Sequence, residues 1–353
     1  MEIKKILEMC VQYRASDVHI LVGTPPSLRL NGQLVVVPDS QVVTPAIASE
    51  LISPLMSQSQ RELVQVDREL DFSYSLNNGA RFRTNVYYEK GNLAAALRYI
   101  PNQIKSLEEL GLPQLLGRLT SLKQGLILVT GPTGHGKSTT LAAMIERINN
   151  ERGEHIVTIE DPIEFIYTPQ KSLISQRELH SDTHGWSVAL KSVLREDPNV
   201  VLIGEMRDYE TIESALLIAE TGHLVLATLH TSSAAQTIDR IVDVFPEEQQ
   251  QQVRAQLSMS LEAVVSQRLI PAASGGRMVV VETMLANSAV RSLIREGKTH
   301  MLTNVMQTSS EVGMKTMDMA LVEAYKAGKI TLPVAREYAS NVEEVNRVVG
   351  KVT

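Results

Sequence analysis

The stretch 131-GPTGHGKST-139 lies between an apolar run, LILVT at 126–130, and a segment with helical periodicity, TLAAMIERI at 140–148. Its glycine spacing ahead of Lys137 and Ser138 is that of a phosphate-binding loop, in which backbone N–H groups surround the phosphates. In such a loop the lysine reaches the β- and γ-phosphates and the serine hydroxyl ligates Mg2+. The order strand, loop, helix therefore predicts a nucleotide site.

The residues expected to contact the nucleotide are Gly131, Thr133, Gly134, Gly136, Lys137, Ser138 and Thr139. Two interpretations of Thr139 stay open at this point. It either contacts the α-phosphate or only fills the first helical turn.

The size and composition of the chain limit what it can be. Its 353 residues predict two domains, since a single core stops growing at about 250–300 residues. A net charge of −6 disfavours nucleic acid as a partner. No signal peptide is evident, and no window approaches about 18 uncharged apolar residues, so we expect a cytosolic protein.

Cys10 is the one cysteine of the chain. A single thiol rules out an internal disulfide and a cysteine-cluster zinc site, which both need at least two. We expect Cys10 to be a small apolar residue on a helix face.

The N-terminal part alternates with period two and is interrupted by turn residues. SLRL, Asn31-Gly32 and QLVVV predict a hairpin, because Asn-Gly suits a two-residue turn. The segment 72–100 predicts three more strands, and helices are expected over 2–13 and 44–66. This part is therefore predicted to be an antiparallel sheet with a helix or two.

Beyond the connector at 100–113 the pattern changes to short apolar runs that alternate with helical periods, which is typical of an α/β fold with a mainly parallel sheet. Further strands are expected at 156–159, 200–203 and 224–229. One helix is marked by apolar residues at 141, 144, 145 and 148, and another by those at 212, 215, 216 and 219. Gly222 is the expected C-terminal cap of the second helix.

Ligands of parallel sheets bind beyond the carboxyl ends of the strands, so the residues that follow each apolar run are the candidates for the nucleotide site. Glu160–Asp161–Pro162–Ile163–Glu164 follows the second run. A carboxylate here could position the water that attacks a γ-phosphate. A solvated acidic loop is the alternative.

The third run is followed by Gly204, Glu205, Met206, Arg207 and Asp208. Because Gly204 stands where such strands usually carry an aspartate, Glu205 is expected to take the acidic role or to share it with Glu164. For Arg207 and Asp208 a local ion pair at a helix start is the alternative, and for Asp208 an N-terminal cap is favoured over catalysis.

His230 follows the fourth run and His223 precedes it. His230 is placed to sense a γ-phosphate, although a lone histidine is usually structural. His223 lies at the far end of the same strand, about 20 Å away at about 3.3 Å per residue, and is not expected at the phosphate.

Together, GPTGHGKSTT, TIEDPIEF, SVLREDPNVVLIGEMRD and AETGHLVLATLHT resemble the Walker A, Asp box, Walker B and His box of the secretion-ATPase superfamily, and most closely its PilT-type retraction motors of type IV pili. ASDVHI with PPSLRLNG resembles the start of the family's PAS-like domain, and AVRSLIRE at 289–296 resembles its C-terminal AIRNLIRE motif.

The resemblance implies an N-terminal PAS-like α+β domain at 1–98, a flexible linker at 99–117 and a RecA-like P-loop ATPase domain with C-terminal helices at 118–353. It also implies ATP and Mg2+ as cofactors. Glu164 would be the general base, Glu205 the Walker B acid that holds Mg2+ through water with Ser138, and His230 the γ-phosphate contact. The functional C-terminal motif comprises Arg291, Leu293, Ile294, Arg295 and Glu296.

The family's N-terminal domain supplies arginines to the nucleotide, and Arg81, Arg83 and Arg98 match those positions. Arg81 and Arg83 share one face of a strand, with Arg98 on the next strand. Guanidinium groups stabilise charge on a transferring phosphoryl group. The alternative is that these arginines pair with nearby acids, namely Asp67, Glu69 and Asp71.

The sequence departs from the family pattern in two places. His135 replaces the usual serine of the phosphate loop, adding a side chain that could titrate near pH 6–7. In AVRSLIRE, Val290 and Ser292 replace Ile and Asn, while Arg291 and Arg295 keep a spacing that puts them on one helix face. A plain surface helix would share that spacing.

The start of the chain at its PAS-like domain and its single cysteine favour the retraction branch over pilus-assembly or type II secretion ATPases. An accessory PilU-type retraction ATPase stays an alternative, and a nucleic-acid translocase is much less favoured. The resemblance implies a cytoplasmic homohexamer at the cytoplasmic face of the inner membrane, at the pilus base. Its expected partners are a PilC-type platform protein and, as an open alternative, a second retraction ATPase.

Overall fold

The computed structural model of the chain describes residues 2–30, 32–100 and 103–350. The chain forms two units. Unit 1 consists of Met1–Gln103 with Pro162–Ile166, and unit 2 consists of Ile104–Asp161 with Tyr167–Thr353. The described residues contain no helix that is both long enough and apolar enough to cross a membrane.

Unit 1 contains a six-stranded antiparallel sheet with the strand order β3-β2-β1-β6-β5-β4. The strands are β1 Asp17–Ile20, β2 Ser27–Leu30, β3 Gln33–Val36, β4 Glu69–Ser75, β5 Arg81–Glu89 and β6 Asn92–Ile100. The helices are α1 Ile3–Gln12, α2 Pro45–Ile52 and α3 Gln58–Asp67. Apolar residues of α1, α2 and the sheet form one core.

The predicted hairpin is present, with Leu30 opposite Gln33. Asn31 of its turn lies outside the described residues. Cys10 is buried on α1, as expected for an apolar position. Burial, with the nearby charge of Asp17, raises the pKa of its thiol to about 11.

The single helix predicted over 44–66 is wrong. Helix α2 ends in a short 3-10 turn, Ser53–Leu55, that contains Pro54. Ser57 is the N-cap of α3. Its hydroxyl accepts from the backbone N–H of Gln60, and the Gln60 side chain accepts from the backbone N–H of Ser57. A proline followed by such a capping box ends one helix and begins another.

Unit 2 contains a seven-stranded sheet with the order β13-β12-β7-β11-β10-β8-β9. The strands are β7 Gly125–Thr130, β8 His155–Glu160, β9 Leu173–Glu178, β10 Val200–Ile203, β11 Leu224–Leu229, β12 Leu261–Pro271 and β13 Arg277–Leu285. All pairs are parallel except β12 with β13. The predicted fold class is confirmed, as are the four strands expected from their apolar runs.

The helices of unit 2 are α4 Gln114–Leu119, α5 Lys137–Glu151, α6 Trp186–Val193, α7 Tyr209–Glu220, α8 Ala234–Asp243, α9 Glu247–Ser260, α10 Ser288–Arg295, α11 Leu302–Thr308, α12 Met317–Lys326, α13 Leu332–Tyr338 and α14 Val342–Gly350. The segment 99–117, expected to be a flexible linker, includes the end of β6 and the start of α4. Gly222 follows α7 with φ +97°, the backbone expected of a helix C-cap glycine.

Strand order explains why the loops of unit 2 meet. The apolar runs of β7, β10 and β11 are buried throughout, as strands covered on both faces must be. Since β11 lies between β7 and β10, the loop after β11 adjoins the loops after both neighbours. The carboxyl ends of these strands form one edge of the sheet.

Candidate functional site

The phosphate loop joins the end of β7 to the start of α5. Gly131, Gly134 and Gly136 have φ values of +143°, +78° and +84°, which L-residues with a side chain rarely adopt. A Cβ on Gly131 would lie 2.4 Å from the backbone oxygen of Gln267 on β12. Gly136 is the N-cap of α5. Because glycine has no side chain to cap the helix, the first N–H groups of α5 are available to an anion.

Lys137 is buried with its ammonium turned back onto the loop. Its Nζ donates to the carbonyl of Gly131 at 2.8 Å and to that of Pro132 at 3.2 Å. Ser138 and Thr139 follow in the first turn of α5 and are half-buried. The loop thus holds a cation and a row of N–H groups at one point, which is the chemistry that fits a phosphate chain.

His230 connects this loop to β10. Its Nδ1 lies 3.2 Å from Oγ1 of Thr133 and 3.5 Å from Nζ of Lys137. Because an ammonium only donates, Nδ1 is the acceptor in these contacts. The ring proton then sits on Nε2, which donates to Oε1 of Glu205 at 3.0 Å.

Glu205 is held on its other side by Arg207. The guanidinium makes two contacts of 2.8 Å, from Nε to Oε1 and from Nη2 to Oε2. Burial alone would raise the pKa of Glu205, but hydrogen bonds from Arg207 and the proximity of His230 outweigh it and lower that pKa. The same pairing raises the pKa of Arg207. Glu205 is therefore ionised at neutral pH.

The positions around Glu205 also have clear local roles. A Cβ on Gly204 would lie 3.3 Å from both Cα of Glu160 and the carbonyl oxygen of Ile159. A larger residue here would therefore need β8 to shift by a few tenths of an ångström. Asp208 is the N-cap of α7 and accepts from the N–H of Thr211 at 2.9 Å, so the favoured capping interpretation is confirmed. Arg207 pairs with Glu205 and not with Asp208.

A cavity of about 570 Å³ lies beside these groups in unit 2. Glu205, Arg207 and His230 line one part of it, and Asp239 and Arg240 of α8 line another. His223, at the opposite end of β11, contacts Thr221 and the carbonyl of Ile218, so it serves the end of α7.

Glu164 belongs to the segment Pro162–Ile166 of unit 1 and is half-buried. Its role as a general base stays a prediction. Glu160 and Asp161 of the predicted acidic loop belong to unit 2, and Pro162 and Ile163 belong to unit 1. Glu160 is the last residue of β8, where its carboxylate accepts from Oγ1 of Thr158 at 2.7 Å.

The three arginines of unit 1 lie on β5 and β6, with Arg83 opposite Arg98. Arg83 pairs with Asp71, with Nη2 2.7 Å from Oδ2. Arg98 pairs with Asp17 through Nε at 3.0 Å. Arg81 is buried. The alternative of pairing with local acids therefore holds for Arg83, whereas the partner of Arg98 comes from β1.

Asp17 is a largely buried carboxylate that also lies 3.5 Å from Arg29. Burial opposes ionisation, but hydrogen bonds from Ser16 and Arg98 prevail and lower the pKa of Asp17. The carboxylate thus anchors Arg98 on the sheet.

The two arginines of the AVRSLIRE segment differ in their surroundings. Arg291 donates through Nη1 to the carbonyls of Ser258 and Met259, at 2.8 Å each, and pairs with Glu262 at 2.9 Å. It therefore closes the C-terminal end of α9. Arg295 is exposed at the end of α10. Leu293 is half-buried, Ile294 is fully buried, and Glu296 pairs with Lys298.

His135 of the phosphate loop is held against β12. Burial, followed by the charges of Arg268, Lys137 and Arg277, lowers the pKa of its ring. Its Nδ1 accepts from the backbone N–H of Leu269 at 3.0 Å. The lowered pKa favours the neutral ring at pH 7, in which Nδ1 can accept this hydrogen bond.

Two features of this site were not predicted from the sequence: the pairing of Arg207 with Glu205 and the contact made by Gln267. The clamp of Arg207 on Glu205 could have been inferred, because residues two apart in extended chain share a face. Gln267 is a buried polar side chain of β12, between Ser266 and Arg268, and its Nε2 donates to the carbonyl of His135 at 2.7 Å. Because it stands in the polar stretch Ser266–Gln267–Arg268, the sequence gives no local sign of its role.

A phosphate loop on a mainly parallel sheet, with an acid and a histidine at the next two strand ends, defines a P-loop nucleotide-binding protein. The sequence profile of type II/IV secretion system proteins matches residues 1–347. This chain belongs to the type II/IV secretion system protein family.

Individual relatives resemble the chain over nearly its whole length. It is 46% identical over 343 residues to the type IV pilus retractation ATPase PilT of Pseudomonas aeruginosa, covering 96% of this chain and 98% of the relative. A twitching motility protein of Neisseria gonorrhoeae is 47% identical over 341 residues, with 95% and 90% covered.

A crystal structure of the pilus retraction motor PilT with bound ADP matches with a TM-score of 0.92 and 44% identity, covering 98% of this chain and 99% of that one. The resemblance to PilT-type motors predicted from the sequence motifs is confirmed by these matches.

Proposed function

We propose that this chain is an ATPase motor that powers the retraction of type IV pili. The observation that carries the proposal is the continuous polar connection from the phosphate loop through His230 to Glu205. It is found in a chain that is 46% identical to a pilus retraction ATPase over nearly its whole length. The proposed substrates are ATP and water, and the products are ADP and phosphate.

Lys137 and the loop glycines are proposed to bind the phosphates. The ammonium of Lys137 now donates to two carbonyls of its own loop. An ATP phosphate offers stronger, charged acceptors, so the ammonium would exchange those carbonyls for phosphate oxygens. Magnesium would be held by the Ser138 hydroxyl and, through water, by Glu205, where it neutralises phosphate charge.

His230 is proposed to report the γ-phosphate to Glu205. In its neutral form the ring of His230 carries one N–H proton, and this proton forms the hydrogen bond to Glu205. A γ-phosphate oxygen also needs a donor, so it competes with Glu205 for that proton. Binding of ATP, but not of ADP, would therefore free Glu205 from one of its two partners.

Glu164 is proposed as the general base that positions the attacking water, and Arg81, Arg83 and Arg98 as groups that stabilise charge on the transferring phosphoryl group. Arg83 and Arg98 now neutralise Asp71 and Asp17. To act on ATP they would have to share or exchange these carboxylates.

We further propose that the chain works as a homohexamer at the cytoplasmic face of the inner membrane, at the pilus base. Its membrane partner would be a PilC-type platform protein, which each cycle of hydrolysis would turn so that pilin subunits are withdrawn. An accessory PilU-type role in retraction is the second candidate, with the same chemistry and a second retraction ATPase as a partner.

The chemical part of this proposal is tested by ATP hydrolysis with the purified full chain. Lys137→Ala should abolish hydrolysis because the phosphates lose their cation. The control is Lys123→Ala, because the ammonium of Lys123 is exposed and makes a long contact of 3.8 Å with Glu154. Single-stranded and duplex DNA should leave the wild-type rate unchanged. Full activity of Lys137→Ala would refute the site, and strong DNA stimulation would point to a nucleic-acid motor.

A further inference from the structure

The phosphate loop contacts β12 at two points, Gly131 and His135. β12 pairs with β7 only as far as Ser266 opposite Thr130, but it continues to Pro271. Beyond this pair the edge of β12 faces the phosphate loop in place of a strand. Gln267 and Leu269 are two residues apart, so their backbone groups point to the same edge.

Three contacts join this edge to the loop. The backbone oxygen of Gln267 approaches Gly131 so closely that a Cβ on this residue would lie 2.4 Å from it. The Gln267 side chain donates from Nε2 to the carbonyl of His135 at 2.7 Å. The N–H of Leu269 donates to Nδ1 of His135 at 3.0 Å.

His135 stands between the two glycines with left-handed backbone, Gly134 and Gly136. Glycines lose the most conformational freedom on ordering, so a loop of this composition is costly to hold in one shape. Both the carbonyl and the ring of His135 are fixed by β12. The peptide that joins His135 to Gly136 and the His135 ring are thus both held by contacts within the protein.

We propose that His135 and Gln267 are positioning residues. They attach the part of the phosphate loop around His135 to β12 and so hold the loop in the conformation that binds the β-phosphate. The side chain of His135 replaces a strand partner for the Leu269 N–H. Pre-organisation of this kind raises affinity by reducing the ordering that binding requires. The inference rests on the proposed nucleotide-binding function and adds two residues to it.

The charges around His135 favour the acceptor form that this contact needs. The charged groups that face it are Arg268 of β12, Arg277 of β13 and Lys137 of α5, all of them cations. Together with burial they lower the pKa of His135 and keep Nδ1 unprotonated.

The test is the affinity of the full-length protein for ADP and for AMP, measured by calorimetry. The loop binds the β-phosphate, which AMP lacks. The ratio of the AMP to the ADP dissociation constant therefore measures how much the β-phosphate contributes to binding. In His135→Ala we expect ADP to bind about three- to tenfold more weakly, the effect of about one net hydrogen bond, with AMP nearly unchanged.

His135→Asn is the matched control, because Oδ1 of asparagine is attached at the same point as Nδ1 of histidine and can accept from Leu269. We expect His135→Asn to keep the wild-type ratio and His135→Gln, whose oxygen lies one bond further out, to lose it. Gln267→Met removes the donor at similar length and should lower the ratio independently of any change at His135.

An unchanged ratio of AMP to ADP dissociation constants in both His135→Ala and Gln267→Met would overturn the positioning role. Equal weakening of ADP and AMP binding would do the same, because it would indicate a general loss of structure. Failure of the wild-type protein to bind ADP would instead refute the proposed nucleotide site.

Discussion

Nε2 of His230 donates its proton to Oε1 of Glu205 at 3.0 Å. The two residues follow neighbouring parallel strands, β11 and β10, so the contact depends on strand order and not on distance in sequence. Because Nδ1 of the same ring faces Thr133 and Lys137, His230 couples the phosphate loop to the acid.

Replacement of His230 by alanine should lower kcat for ATP hydrolysis about 100-fold, the usual effect of losing one donor to developing phosphate charge. ADP affinity should change little, because ADP lacks the phosphate that His230 is proposed to sense. Steady-state kinetics and calorimetry measure the two quantities. His223→Ala is the control, since His223 contacts the end of α7. Equal losses of kcat in the two variants would contradict the assignment.

Arg291 and Arg295 should separate into a structural and a functional residue. Arg291→Ala removes the donors to two carbonyls at the end of α9. We expect it to lower the free energy of unfolding by about 1–3 kcal/mol. Arg295→Ala, at an exposed position, should change it by less than about 0.5 kcal/mol.

The same pair of variants should differ in the cell. If the AVRSLIRE segment acts in retraction, Arg295→Ala should reduce twitching although its thermal stability is unchanged. Normal twitching of Arg295→Ala, combined with unchanged stability of Arg291→Ala, would be evidence against both parts of this division.

Acid should weaken unit 1 through Asp17. Its pKa in the folded chain is lowered from the usual 3.8, so the ionised carboxylate stabilises the fold. This contribution is complete above the unfolded pKa and is lost as pH falls below about 4 through the folded value. Asp17→Asn should be less stable than wild type at pH 7, with a smaller further loss on acidification. Thermal midpoints from pH 7 to pH 3 measure the effect.

Asp39→Asn is the surface control for Asp17→Asn. Asp39 is exposed, and its φ of +55° is one that asparagine also tolerates. An acid profile of Asp17→Asn that matches those of wild type and Asp39→Asn would show that the pairing of Asp17 with Arg98 adds no stability.

Local patterns predicted the parts of the fold that depend on local causes. The strands β7, β8, β10 and β11 appear in the sequence as apolar runs because they are covered on both faces. The glycines of the phosphate loop and the cap at Asp208 are also local, and both were predictable. The break in the helix predicted over 44–66 was visible in Pro54 and Ser57, but the apolar periodicity concealed it.

Features that depend on distant partners were not predictable. Strand β9 has no continuous apolar run, so its place at the edge of the sheet beside β8 left no local signal. Arg98 finds Asp17, 81 residues away in sequence, and not the acids close to it. The contact of Gln267 with His135 spans 132 residues. Such pairs follow from strand order, which a single sequence does not show.

The most direct test of the central claim is surface piliation and twitching in cells whose only copy carries Glu205→Ala. Glu205 is held by both His230 and Arg207, and its loss should stop hydrolysis while the chain still folds. If the motor retracts pili, these cells should carry excess surface pili and lose twitching, because extension continues unopposed. Bald cells, or a secretion defect, would contradict retraction and indicate that the same site powers assembly.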